Sequence, residues 1–256
     1  MPSSAKEFYL TFIKKEQVAK DAYAFYFSAK GGPGSAWDFL PGQYIHMYLP
    51  VTNDDGRGDS RMLTIASSPF EKQYMVFITR IIQSAFKKTL LNLSFQTKVK
   101  FYGPSGGFVL NENETREQVF LAGGIGITPF FSMLSYIDKK KLTLKATLMV
   151  SFSTVEDIIY KKELEDLERR NPNIKIIYTI THPEESRPKD DRPLAENWDG
   201  EKGRISKELI AKYVNKPLDS LYYIVGPPNM VDAMHDIVSE MGVASKDILT
   251  ENFVGY

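Results

Sequence analysis

The segment VFLAGGIGITPFFSML, residues 119–134, constrains the fold more than any other stretch of the chain. An apolar strand over 119–122 runs into Gly123, Gly124 and Gly126, and Thr128-Pro129 then opens a helix. Glycines at a strand-to-helix turn reach backbone angles closed to other residues and let a ligand approach the main chain. Thr128 suits an N-cap and Pro129 the first helical position, where no N–H is needed. The positive end of such a helix is an anion site suited to a pyrophosphate. A tight structural turn would use the same glycines, so the strand-turn-helix context has to carry the phosphate reading. No acidic residue follows about 20 positions on, where Thr143 stands instead, so this is not the ordinary dinucleotide fingerprint.

A second segment, LYYIVGPPNMVDAMHDIV at 221–238, repeats the arrangement, with Gly226-Pro227-Pro228 between an apolar strand and a helix. In open α/β sheets, ligands bind at such carboxyl ends of strands. The rhythm around both segments alternates strand with helix, which predicts a parallel sheet. The strands fall at 119–122, 142–152, 174–180, 221–225 and 247–253, and the helices at 129–139, 155–170, 206–214 and 228–241. Only 181–203 reads as a long solvated excursion.

The first ~110 residues follow a different period. Short strands at 7–14, 22–30, 43–49, 61–66, 73–81 and 97–102 are separated by turns, with one helix at 84–93. In 43–49, Ile45, Met47 and Leu49 share one face and Tyr44, His46 and Tyr48 the other. The expected fold is β + α/β: a six-stranded antiparallel barrel, then a parallel α/β domain. The boundary falls near 111–117, which divides the chain into 1–112 and 113–256.

Composition removes several kinds of chemistry. Among 256 residues there is no cysteine, which excludes disulfides, thiol nucleophiles and cysteine-held iron–sulfur clusters in this chain. His46, His182 and His235 are far apart and show no metal-ligand spacing. With 32 Lys+Arg against 32 Asp+Glu, no basic excess exists to neutralise a nucleic acid. No apolar run approaches the ~20 residues of a spanning helix, and the first residues lack the apolar stretch of a signal peptide. The expectation is a soluble, cytoplasmic protein.

Six ordered motifs together resemble the ferredoxin–NADP reductase superfamily. They are Pro41-Gly42-Gln43, RMLT at 61–64, GPSGGF at 103–108, GGIGITP at 123–129, VGPPNM at 225–230 and ENFVGY at 251–256. The resemblance covers nearly the whole chain. It implies a flavin-binding barrel followed by a nicotinamide-nucleotide domain, with FAD and NAD(P)H as cofactors and hydride passing between them. Arg61 would pair with the flavin phosphates, a role suited to a permanently charged planar fork, and Thr64 would hydrogen-bond the hydride-accepting flavin nitrogen. Met62 and Leu63 complete that motif. Arg80, Lys87 and Thr89 are candidates for the flavin phosphates or adenine, although two adjacent lysines also suit a solvated face. Gly123, Gly124, Gly126, Thr128 and Pro129, with Gly226, Pro227 and Met230, would receive the nicotinamide nucleotide. An aromatic, Phe253 or Tyr256, would cover the flavin, or else pack as a hydrophobic tail.

Three departures from the family matter. Leu63 replaces the aromatic of the flavin motif, which leaves FAD against FMN open. Val225 stands where many relatives have a cysteine beside the nicotinamide. Residues 150–157 carry no arginine for a 2′-phosphate, leaving Ser151, Ser153 and Thr154, with Lys161 or Lys162 within possible reach. That absence tilts the choice toward NADH. The implied activity is a flavin-dependent NAD(P)H oxidoreductase passing electrons to ferredoxin, flavodoxin, an oxygenase component or a small molecule. A non-catalytic flavin- or nucleotide-binding module, or an electron-transfer subunit of a larger complex, is the competing reading.

Overall fold

A computed structural model of the chain describes residues 5–28, 38–52, 55–185 and 198–254. By contacts the chain divides into Met1–Leu110 with Thr128–Lys139, and Asn111–Ile127 with Lys140–Tyr256.

In the first unit, β1 (Lys6–Ala19), β2 (Ala22–Ser28), β3 (Tyr44–Tyr48), β4 (Ser60–Thr64), β5 (Tyr74–Arg80) and β6 (Lys98–Ser105) pair in the order β4-β3-β6-β1-β2-β5. Every pairing is antiparallel. The two end strands meet just beyond β4, where the Ala66 N–H donates to the Val76 carbonyl at 2.9 Å. That bond ties the two ends of the sheet together, as in a barrel. Alternate residues face inward as strand periodicity dictates. Phe8, Leu10 and Phe12, Phe25 and Phe27, Ile45 and Met47, and Val99 and Phe101 fill one core. Phe101 stacks on Phe77 at 5.6 Å and meets Phe27 edge-on at 5.2 Å. Truncating a ring of this kind to alanine costs about 3–5 kcal/mol. The helix α1 (Ala85–Leu91) starts from an N-cap at Ser84, whose side chain accepts from the Lys87 N–H.

The second unit holds β7 (Gln118–Gly123), β8 (Ala146–Phe152), β9 (Ile174–Ile180), β10 (Glu201–Lys202), β11 (Leu221–Gly226) and β12 (Ile248–Asn252). All are parallel, in the order β10-β9-β8-β7-β11-β12. Every residue of β7 and β11 is buried, as expected for central strands covered on both faces. From β7 the chain moves outward through β8 to β10, then returns to β11 on the other side. The order therefore reverses between β7 and β11, the position where open α/β sheets bind their ligands.

The helices are α2 (Ile127–Lys140), which groups with the first unit except at its ends, α3 (Lys161–Arg170), α4 (Lys207–Tyr213) and α5 (Pro228–Glu240). Three expectations change. The strand expected over 142–152 begins only at Ala146. The helix expected over 155–170 is broken into a 3-10 turn, Val155–Asp157, and α3, because Tyr160 takes a left-handed conformation with φ of 53°. The stretch 181–203 contains β10, whose Glu201 and Lys202 pair with Thr179 and Ile180 and extend the sheet.

Candidate functional site

In the barrel, β4 and α1 bring two cations together. Arg61 lies near the start of β4 with its guanidinium carbon 5.0 Å from the centroid of Phe86 on α1. Its Nη1 donates to the carbonyls of Ser60 at 2.6 Å, Arg57 at 2.8 Å and Gly58 at 3.3 Å. Its Nη2 is buried and finds no partner among the described residues. A buried charged nitrogen without an acceptor is costly, and a phosphate oxygen is the acceptor that geometry and charge both suit.

Lys87 is 3% exposed, not part of a solvated face. Its Nζ hydrogen-bonds the Thr79 hydroxyl and donates to the Arg80 carbonyl at 3.1 Å. Burial first, and then the charge of Arg61, push its pKa down to about 8. Lys88, its neighbour, is exposed. Arg80 is half-buried on β5, and Thr89 spends its hydroxyl on the Ala85 carbonyl within α1 at 3.0 Å. Thr64 is buried at the end of β4, opposite Tyr44. Leu63 belongs to the barrel core, whereas Met62 is 52% exposed. The Pro41-Gly42-Gln43 turn meets the 103–108 segment through Gln43 Nε2 and the Gly106 carbonyl at 3.3 Å.

In the parallel sheet, the two glycine turns meet at the reversal of strand order. A Cβ on Gly126 would lie 2.5 Å from the Val225 carbonyl oxygen and 3.2 Å from the Gly226 Cα. One on Gly123 would lie 2.1 Å from Met230 Sδ. These glycines are therefore required by the close approach of β7 to β11 and α5, independently of any ligand. Gly124 adds a positive φ of 52°.

The turn itself corrects an expectation. Gly123 is the N-cap of a 3-10 turn, Gly124–Gly126, that leads straight into α2, so Thr128 sits inside the helix rather than at its cap. Pro129 follows in the first turn of α2, where a missing N–H is still tolerated. Among the described residues no side chain caps this turn, nor the start of α5 at Pro227. Two adjacent uncapped helical starts fit a pyrophosphate. Ser151 is half-buried opposite Gly123, and Ser153 is exposed just beyond β8. Thr154 is already committed, since its N–H and hydroxyl both bond Asp157 Oδ2, at 3.1 and 3.0 Å.

Glu251 escapes sequence reasoning. It pairs with Val225 at the carboxyl end of β12. Its Oε2 is buried with no partner among the described residues, and burial raises its pKa to about 7. The signal available in sequence was its place, two residues before Phe253 on a strand beside the Gly226 turn. Phe253 is half-buried, and its N–H donates to the Gly226 carbonyl at 2.9 Å. Tyr256 lies outside the described residues.

A carboxyl whose folded pKa is raised binds more protons native than unfolded, so its contribution declines as pH rises from about 4.5 toward 7. Glu251→Gln is expected to gain roughly 1–3 kcal/mol over the wild type at pH 8 and much less at pH 5. Urea unfolding at both pH values checks this, and an equal difference at the two would refute it.

The comparisons with known proteins agree with this geometry. The oxidoreductase FAD-binding domain matches residues 9–110 and the oxidoreductase NAD-binding domain residues 120–236. NADH-cytochrome b5 reductase 1 of Pyricularia oryzae is 26% identical over 94% of this chain and 76% of its own length. The anthranilate 1,2-dioxygenase electron transfer component of Acinetobacter baylyi is 28% identical over 85% of this chain, which spans 59% of that protein. Among solved structures, an Amycolatopsis cytochrome P450 reductase superposes with a TM-score of 0.79 at 16% identity, covering 97% of this chain and 70% of that one. Flavin and nicotinamide-nucleotide domains follow one another in the same order as the barrel and the sheet, and the chain belongs to the ferredoxin–NADP reductase-like family of FAD-dependent NAD(P)H oxidoreductases.

Proposed function

We propose that this chain is an NADH-preferring reductase whose barrel, 1–112, carries FAD and whose α/β domain, 113–256, carries the nicotinamide nucleotide. Bound FAD would accept a hydride from the nucleotide and release electrons singly or as a pair. The observation that carries the reading is the buried, unsatisfied Nη2 of Arg61 at the end of the barrel. Arg61 would hold the flavin phosphates, with Lys87 adding charge from below and Arg80 and Thr89 nearby on β5 and α1. Thr64 would offer its hydroxyl to the flavin ring. The turn at Gly123, Gly124 and Gly126 and the start of α5 at Gly226 and Pro227 would receive the nucleotide pyrophosphate, with Met230 packing the turn. One aromatic, Phe253 or Tyr256, would cover the flavin.

The preference for NADH rests on charge. Where β8 ends, Ser151 and Ser153 offer hydroxyls, but the cap on Thr154 is the carboxylate of Asp157. A negative group there opposes a 2′-phosphate. A relative named as a dioxygenase electron transfer component supports an electron-accepting partner, and an oxygenase component is the acceptor proposed, with ferredoxin, flavodoxin or a small molecule as the alternatives. Among the described residues no helix is long and apolar enough to cross a membrane, and a cytoplasmic location, where NADH is supplied, is part of the proposal.

Anaerobic stopped-flow reduction with NADH and NADPH in parallel tests the whole reading. NADH is expected to reduce the flavin at least about tenfold more efficiently, equivalent to ~1.4 kcal/mol. Equal efficiency defeats the nucleotide preference. Bound flavin that neither nucleotide reduces would favour the binding-module reading.

A further inference from the structure

The loop between β3 and β4 does more than connect them. Asp55 Oδ2 accepts from Arg57 Nη2 at 2.5 Å and from the Ala85 N–H at 2.8 Å, and Arg57 Nη2 also donates to the Gln83 carbonyl at 2.7 Å. The loop is thus fastened to the segment that begins α1. Gly56 and Gly58, with φ of 77° and 71° and open space where a Cβ would stand, give it the tight course that these bonds need. The fastened loop presents the carbonyls of Arg57, Gly58 and Ser60 to a single nitrogen, Arg61 Nη1. Three acceptors on Nη1 fix the guanidinium plane and leave Nη2 buried and unspent.

We propose that Asp55 is a positioning residue for Arg61: it locks the 55–60 loop so that its carbonyls hold one guanidinium nitrogen and aim the other at a flavin phosphate. The proposal rests on the assignment of Arg61 to those phosphates. Asp55 and Arg57 neutralise one another, so the loop is held without adding net negative charge beside an anionic ligand. A lysine at position 61 has a single nitrogen and nothing left to aim.

The test is a double-mutant cycle on FAD affinity, read by quenching of flavin fluorescence on the full chain stripped of flavin. Asp55→Asn alone is expected to weaken FAD about tenfold. In an Arg61→Lys background the same change is expected to cost less than about twofold. A role confined to loop stability would cost the same in both backgrounds and would lower the melting temperature of the flavin-free protein in both, and that result overturns the proposal. Unchanged or tighter FAD binding by Asp55→Asn, with Arg61→Lys impaired, overturns it while leaving Arg61 as a phosphate ligand. Wild-type affinity in Arg61→Lys removes the assignment of Arg61 and the proposal together.

Discussion

Replacing Gly126 with alanine is expected to lower the melting temperature by about 5–10 °C and to weaken NAD+ binding at least about tenfold. The reason is what the new methyl group would meet. Its nearest atoms are the Val225 carbonyl oxygen at 2.5 Å, the Val225 carbonyl carbon at 2.9 Å and the Gly226 Cα at 3.2 Å. All belong to the backbone, and Val225 is paired on both sides, with Ala122 of β7 and Glu251 of β12. Relief therefore requires two strand pairings to shift at the carboxyl end of the sheet, where the nucleotide is proposed to bind. Gly123→Ala provides the contrast. Its obstacle is chiefly the Met230 side chain, Sδ at 2.1 Å and Cε at 3.3 Å, and a thioether can move or be deleted. Adding Met230→Ala is expected to restore most of the stability lost by Gly123→Ala, whereas no side-chain deletion rescues Gly126→Ala. Thermal melts and calorimetric titration with NAD+ measure both. A Gly126→Ala protein that melts and binds like the wild type would show that β7 and β11 are not held this closely.

The difference between these glycines marks how far the sequence could be read. Alternation of Phe25 with Phe27 and Ile45 with Met47 announces barrel strands, because a pleated strand places every second side chain in the core. The unbroken apolar strands β7 and β11 likewise announce a parallel sheet. What the glycines do was less legible: they read as ligand-approach positions, yet Gly123 and Gly126 are demanded by packing. Thr128-Pro129 has the composition of a helix start, but the glycines before it already turn as a 3-10 helix and move the start forward. Tyr160 gives no warning of a left-handed backbone, since its type disfavours that conformation and only tertiary context imposes it. β10 is too short for any period to reveal.

Lys87 carried a signal that was available. Phe86, Lys87 and Leu90 are the buried residues of α1, and a lysine three positions before a core leucine lies on the inward face. Asp55 carried none, because a carboxylate in a polar loop looks the same whether it fastens the loop or faces water. For the same reason Arg61 and Thr64 were identified through the family motif, while the arrangement around Arg61 came only from the fold.

Removal of Arg61 or Lys87 is expected to separate stability from flavin affinity. Arg61→Ala deletes the nitrogen that has no acceptor, and loss of a buried charged partner costs about 2–5 kcal/mol in binding, or roughly 30- to 5,000-fold in FAD affinity. Lys87→Met acts in two directions. The folded lysine has a pKa of about 8 against an ordinary value of 10.5. Between those limits the native state binds fewer protons than the unfolded chain, so the cost of burying the charge is full below pH 8 and disappears as pH rises toward 10.5. Flavin-free Lys87→Met is therefore expected to be more stable than the flavin-free wild type by roughly 1–3 kcal/mol at pH 7, with the gap closing toward pH 10. Its FAD affinity is expected to be lower, because a methionine offers no charge to a phosphate. Wild-type FAD affinity should also decline as pH rises through about 8, where Lys87 loses its proton, and Lys87→Met should lack that decline. Denaturant melts without flavin and FAD titrations across pH 6.5–9.5, a window of about three units around that value, read the two effects separately. If Lys87→Met leaves both the pH profile and the affinity unchanged, Lys87 serves the barrel core alone. If it destabilises the flavin-free protein while weakening FAD, its bonds to Thr79 and Arg80 outweigh the burial cost. A gain in stability with a loss of affinity is the outcome that burying a lysine beside Arg61, at the cofactor's expected place, requires.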